Sequence, residues 1–315
     1  MYISDSEVGA ALRYEELIPA IRRALIAYSA GKVEQPPRTI LRAGNAEGAE
    51  NGWFAVMPVI AGEFMAVKTV TFYPGNARTQ IPTHMATVEL LRRSTGEPLA
   101  VLDGRRITEM RTAAVSAVAL AALVPLHFAG PPATLGILGS GVQAHAHIEA
   151  FRHVWPGLRE IRVWSPTRAH AERLADRVGA HSVSIEDAAA ADVVLTVTSA
   201  AQPVLQGRWL APNALVLAVG ATGASMRELD DETMRSSYIV AESRSSVERE
   251  SGDVRLSGTQ VAAELGEILA GRAEADIPRD GRVLFKSVGM AIEDLTAAQL
   301  VWRARGGQGS GSGIS

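Results

Sequence analysis

Residues 134–144, TLGILGSGVQA, constrain the fold more than any other part of this chain. A short apolar run, Leu135, Ile137 and Leu138, breaks into Gly139-Ser140-Gly141-Val142-Gln143-Ala144, and a helical pattern follows. A strand that feeds a helix through two glycines and a small residue is built to hold a pyrophosphate. The first glycine makes the tight turn, the second lets the backbone approach the phosphates, and the small third residue lets helix pack on strand. Gly139, Ser140, Gly141, Val142 and Gln143 are therefore candidate dinucleotide-binding residues.

The rhythm after this turn agrees with it. Apolar runs at 134–138, 161–164, 183–184, 193–198, 215–219 and 238–240 alternate with helical stretches, notably 142–151 and 168–178. Short buried strands alternating with helices predict an α/β, doubly wound parallel sheet of the Rossmann type. The earlier part reads differently. Helical periodicity over 7–30 gives way to strand-like runs at 38–41, 53–60, 64–73, 87–91 and 99–102, separated by turn signals at 61–63, 74–76 and 94–97. A helix with an almost unbroken alanine, valine and leucine surface is expected over 107–123. Pro125, Pro131 and Pro132 then mark a connection between domains. A last helix is expected over 289–303, and the glycine- and serine-rich residues 306–315 read as a disordered tail.

At 315 residues, two domains are expected. A net charge of −3 with scattered Lys and Arg gives no nucleic-acid footprint. The absence of cysteine removes disulfides, thiolate metal sites and cysteine nucleophiles, and fits a reducing cytoplasm. The start of the chain lacks the order of a signal peptide, and the apolar stretch 113–124 is too short to span a bilayer, so no membrane partner is expected.

The second strand of a dinucleotide fold usually ends on an acid that accepts from the ribose 2′-hydroxyl. Here Ile161-Arg162-Val163-Trp164 is followed by Ser165-Pro166-Thr167-Arg168, with no Asp or Glu from Ile161 until Glu172. Hydroxyls and a guanidinium suit a 2′-phosphate, which needs donors and positive charge. Ser165, Thr167 and Arg168 thus point to NADPH, with NADH the alternative and a merely solvated Arg168 the competing reading.

Three cations stand in unusual places. Phe64, Ala66, Lys68, Val70 and Phe72 share one strand face, so Lys68 sits midway along apolar company. Either it snorkels from an edge strand or it points into a pocket toward an anion or reacting group. Arg111 precedes an alanine-rich stretch. A helix starting there would leave a cation at its N-terminus unless an anion joined it, whereas a start near Ile107 would weaken that argument. Arg38 follows Pro36-Pro37 at a strand start and is either a third anion ligand or a solvated arginine. His84 is either an acid or a structural hydrogen-bonder. His145 and His147 do not share a helical face, so no metal site is expected.

Several segments together resemble the ornithine cyclodeaminase/mu-crystallin family over residues 1–303. They are Pro37-Arg38-Thr39, Val67 to Tyr73, Leu102-Asp103-Gly104, Arg111-Thr112-Ala113-Ala114, the glycine turn, Ala218-Val219-Gly220-Ala221, and Phe285 to Asp294. The resemblance implies a substrate-binding and dimerisation α+β domain from residues 1–125 plus 290–305, with the Rossmann domain, 126–289, inserted. It also implies a homodimer, and places Arg38, Lys68 and Arg111 at the family's carboxylate-gripping positions. Thr198, Val219, Gly220, Ser287 and Gly289 join the nucleotide candidates, the 287–290 segment closing over the nicotinamide.

One departure matters. Cyclodeaminases of the family, and some of its alanine dehydrogenases, resemble one another in an aspartate two residues beyond the Val-Gly of the fifth strand. Here that position is Thr222, and a hydroxyl is a poor substitute for a carboxylate in holding an amine or moving a proton. The expectation is a ketimine reductase that reduces a cyclic 2-imino acid such as Δ1-pyrroline-2-carboxylate or Δ1-piperideine-2-carboxylate to the α-amino acid. Arg38 and Arg111 would clamp the carboxylate, Lys68 would complete the anion site and help protonate the imine nitrogen, and His84 and Thr222 would be secondary. The alternatives are an ornithine cyclodeaminase or alanine dehydrogenase of the same family, or a non-catalytic NADPH-dependent protein that binds a small ligand.

Overall fold

The computed structural model describes residues 1–44, 50–273 and 276–307, so the tail expected at 306–315 lies almost wholly outside the described residues. The chain divides into two compact units, Met1–Arg111 with Met290–Ser315 and, between them in sequence, Thr112–Gly289. The division falls between Arg111 and Thr112, earlier than the proline-marked connection at Pro125.

Unit 1 begins with β1 (Tyr2–Ile3), α1 (Asp5–Ala11) and α2 (Tyr14–Ser29). The periodic stretch 7–30 is thus two helices. Leu12 and Arg13 are extended, and the Arg13 guanidinium donates to the carbonyls of Gly9, Ala10 and Leu12, satisfying the end of α1. Then come β2 (Val33–Glu34), β3 (Thr39–Gly44), β4 (Glu50–Ala61), β5 (Phe64–Phe72), β6 (His84–Arg92) and β7 (Pro98–Asp103). The sheet order is β1-β7-β6-β5-β4-β2, with β3 also paired to β4. Strands β4 to β7 form an antiparallel meander.

The helix α3 (Gly104–His127) starts three residues earlier than expected and runs through Pro125, which lies in its last turn. At 24 residues it is long and apolar enough to cross a membrane, which corrects the reading of 113–124 as too short. Of its apolar window, 67% is buried inside the protein, so that surface is already used for packing.

Unit 2 continues with β8 (Thr134–Leu138), α4 (Val142–Val154), β9 (Glu160–Trp164), α5 (Arg168–Val178), β10 (His181–Ser182), α6 (Ile185–Ala189), β11 (Val193–Thr196) and β12 (Leu215–Ala218). After these come α7 (Asp231–Arg235), β13 (Ser237–Ala241), α8 (Arg244–Glu250), α9 (Gly252–Ser257), β14 (Ala263–Glu264), α10 (Leu265–Leu269) and β15 (Arg282–Lys286). All pairs are parallel, in the order β10-β9-β8-β11-β12-β15-β13-β14. The strand expected at 183–184 lies at His181–Ser182, because Ser184 instead caps α6 by accepting from the Asp187 N–H. β15 is a strand the periodicity did not mark.

From β15 the chain enters α11 (Ala291–Ala304), which belongs to unit 1 and packs on α2 and across β4, β5 and β6. β5 is an interior strand. Its register sets Lys68 between Met57 of β4 and Val88 of β6, and the buried face carries Phe64, Ala66, Lys68 and Val70. The edge-strand reading of Lys68 is thereby excluded.

Candidate functional site

A lysine on the covered face of a central strand needs a counter-charge, and α11 brings one. Lys68 Nζ donates to Asp294 Oδ1 at 2.9 Å. Arg111 donates from Nε to the same oxygen at 3.1 Å and from Nη1 to Glu293 Oε2 at 2.6 Å. Glu293 is fully buried and Asp294 is 1% exposed, so the two cations and two carboxylates form a nearly dry cluster within unit 1. α3 begins at Gly104, which puts Arg111 in its third turn, away from the N-terminus. The idea of a substrate anion at the helix N-terminus beside Arg111 is therefore replaced by an arginine already oriented by two carboxylates.

The cluster's electrostatics separate the candidate proton donors. Burial lowers the Lys68 ammonium's pKa, Asp294 raises it, and the charges of Arg111 and Arg38 lower it again, leaving it at about 8. Burial, with Lys68 and Arg111, pushes His84 down to about 4. Lys68 thus carries a proton at neutral pH that it can release, whereas His84 is neutral. Burial pushes the Asp294 carboxyl up, but Arg111 and Lys68 outweigh that and hold it below the usual carboxylate range. Arg38 stands half-buried just before β3, close enough for its charge to act on Lys68. Glu293 and Asp294 escaped the sequence reading, since acids in the first turn of a helix are ordinary partners of its dipole.

The glycine turn lies at the carboxyl end of β8 in unit 2. Gly139 adopts φ +125°, and a side chain there would strike the Val197 carbonyl. Gly141 is the N-cap of α4 and offers no side-chain cap, nothing lies within 4 Å of where its Cβ would be, and Val142 is 67% exposed. The Gln143 Oε1 is buried with no hydrogen-bond partner among the described residues. An open, uncapped helix start, whose N–H groups are donors, fits a bound nucleotide phosphate.

Ser140 Oγ donates to Ser165 Oγ at 3.0 Å, tying the turn to the end of β9. Thr167 is the N-cap of α5 and makes no side-chain cap bond. Arg168 is exposed and paired to Glu172 at 2.8 Å, a surface contact of little strength that a phosphate can displace. His147 is fully buried, with its ring nitrogens on the Gln143 carbonyl and the Ser116 hydroxyl, so it braces α4.

Farther along the same edge, Thr198, Val219 and Gly220 follow β11 and β12. A side chain at Gly220 would collide with the Thr198 carbonyl and the Glu228 carboxylate. Thr222 is exposed beyond β12. Ser287 donates its hydroxyl to Glu242 at 2.7 Å, and the N–H groups of Val288 and Gly289 donate to the same carboxylate. Those three residues are therefore held from below by Glu242.

A profile of the ornithine cyclodeaminase/mu-crystallin family matches residues 1–307. The ketimine reductase mu-crystallin of Mus musculus is 42% identical over 313 residues, covering 96% of each chain. Among solved structures, the Δ1-pyrroline-2-carboxylate reductase of Thermococcus litoralis, in complex with NADH and L-proline, superposes with a TM-score of 0.87. It is 31% identical and covers 96% of this chain and 97% of its own. An archaeal alanine dehydrogenase, a dimer with bound NAD, gives a TM-score of 0.89 at 26% identity, covering 96% and 95%.

Proposed function

The chain belongs to the ornithine cyclodeaminase/mu-crystallin family, and from that premise we propose that it is an NAD(P)H-dependent reductase of cyclic 2-imino acids, Δ1-pyrroline-2-carboxylate and Δ1-piperideine-2-carboxylate being the leading substrates. The observation that carries this reading is the buried Lys68, held by Asp294 beside Arg111 with a pKa of about 8. Arg111, fixed by Glu293 and Asp294, together with Arg38, grips the substrate carboxylate. Lys68 delivers the Nζ proton to the imine nitrogen and recovers one from water. The chemistry a bound reduced nicotinamide would supply is hydride to the imine carbon, which with the Lys68 proton would convert C=N to CH–NH and leave the nicotinamide oxidised.

The glycine turn from Gly139 to Gln143 and the start of α4 hold the pyrophosphate. Ser165, Thr167 and Arg168 would hold a 2′-phosphate, and Thr198, Val219 and Gly220 would hold the nicotinamide half. A homodimer through the unit 1 sheet fits the exposed Ile40 and Leu41 of β3, at 51% and 57%.

The direct test is a panel of cyclic and linear 2-imino acids assayed with NADPH and NADH. Cyclic substrates should be turned over best. Turnover confined to linear imines would identify an alanine dehydrogenase, ammonia release from ornithine without added reductant a cyclodeaminase, and no turnover at all a binding protein. Arg168→Ala should weaken NADPH binding by about tenfold, the worth of one charge-assisted contact, and leave NADH little changed. Equal effects on both nucleotides would reject the phosphate assignment.

A further inference from the structure

Unit 2 contains a set of buried charges that neither the glycine turn nor the substrate cluster uses. Glu228, in the loop that follows β12, has no exposed surface. Its Oε1 accepts from the Thr198 N–H at 2.6 Å and the Thr198 hydroxyl at 2.8 Å. Its Oε2 accepts from the Thr196 hydroxyl at 2.9 Å, the Gly220 N–H at 2.7 Å and the Ala221 N–H at 3.1 Å. All five partners are donors, the pattern an ionised carboxylate satisfies.

Glu228 is itself held. Its N–H donates to Asp253 Oδ1 at 2.9 Å, and its carbonyl accepts from Val204 and Leu205. Asp253 pairs with the buried Lys286 at 2.9 Å. Neither Glu228 nor Glu242 has a cation within ion-pair distance among the described residues, so the strand ends of β11, β12, β13 and β15 rest on buried negative charge.

Which half of a dinucleotide meets that edge follows from the topology. A bound pyrophosphate would be held where β8 gives way to α4, with the adenosine half toward β9. The strand order reverses between β8 and β11, so the nicotinamide half would be held at the ends of β11 and β12. The residues that Glu228 pins are the backbone of that half-site. Oxidised nicotinamide carries a positive charge that the reduced ring lacks, and a buried anion acts on it through a low-dielectric medium.

We propose that Glu228 is a positioning residue for the nicotinamide end of the cofactor: its carboxylate fixes Thr198, Gly220 and Ala221, and its charge favours the oxidised, cationic ring over the reduced one. This rests on the nucleotide reading of unit 2 and is independent of which imine is reduced.

The test is calorimetric titration of the full-length protein with NADP+ and with NADPH, which needs no turnover. Glu228→Gln should weaken NADP+ at least about fivefold more than NADPH. Glu228→Asp keeps the charge but withdraws it from its donors, and should weaken both nucleotides alike. Unchanged affinities, or equal weakening by Glu228→Gln, would overturn the proposal and leave Glu228 as a structural pin. Should Glu228→Gln not fold, Thr196→Val decides. Thr196 is wholly buried and its hydroxyl donates to Glu228 Oε2, so its loss acts through Glu228. Both nucleotides should then bind about threefold more weakly, the loss of one hydrogen bond in five, in a protein of unchanged circular dichroism. Native affinity in that variant would overturn the positioning role.

Discussion

Lys68→Met is expected to lower kcat/KM for a cyclic 2-imino acid by about 10²–10⁴-fold, the usual effect of removing a positioned proton donor. Nucleotide affinity should not change. Methionine keeps most of the side-chain volume, and Asp294 retains Arg111 as a partner at 3.1 Å, so no buried carboxylate is stranded and the variant should fold. The pH profile gives the companion result. A donor must be protonated, so wild-type kcat/KM should fall about tenfold per unit above a pH of about 8, the value set for Lys68 by burial and its neighbours. His84 lies at about 4 and contributes no limb near neutrality. Kinetic constants measured across the pH range for both proteins check this. Wild-type activity that keeps rising well above that pH, or a variant within about threefold of wild type, would remove Lys68 from proton delivery.

Asp294→Asn should be the most destabilising single change in the substrate cluster. It leaves Lys68 buried without its carboxylate and deprives Arg111 of one of two, and breaking such a pair costs roughly 3–5 kcal/mol. Urea denaturation followed by circular dichroism measures it. The sign of the pH effect is fixed. The folded Asp294 carboxyl lies below its ordinary range, so its contribution is full above that range and is lost as pH falls. The asparagine variant should lack that acid-side loss. Asp294 also raises the Lys68 pKa, so its removal should move the alkaline limb of the rate profile to lower pH. Adding Lys68→Met should recover part of the lost stability, because the stranded ammonium goes with it. A double variant as unstable as the sum of the two singles would show that the pair is uncoupled.

What the sequence disclosed, and what it withheld, divides along the range of the interactions. Lys68 was placed on its face by simple alternation, because a strand's two-residue period is local. The Gly139–Gln143 turn and the bounds of β8 and α5 were likewise local. For Arg111 the sequence leaves two helix starts open, because Asp103, which accepts from the Arg105 N–H at the start of α3, also ends β7 and gives no unambiguous cap signal. Glu293 and Asp294 acquire meaning only when α11 is laid on β5, more than two hundred residues away in sequence. β15 was passed over because a five-residue run followed by Ser287-Val288-Gly289 resembles a loop approach. Glu228, between β12 and α7, leaves no local pattern, since its carboxylate bonds to two segments well before it in sequence, 196–198 and 220–221.

The position of β15 and α11 has a consequence for how the protein comes off the ribosome. β15 is made after β12, β13 and β14, yet it lies between β12 and β13. α11 follows it at once and covers the meander built from the first hundred residues. Synthesis proceeds at about 5–20 residues per second, and domains ordinarily fold as they emerge. Here neither unit can close its interior until β15 and α11 have been translated. The nascent chain therefore waits with an open sheet edge and an uncovered lysine face, and both are sealed in one late event.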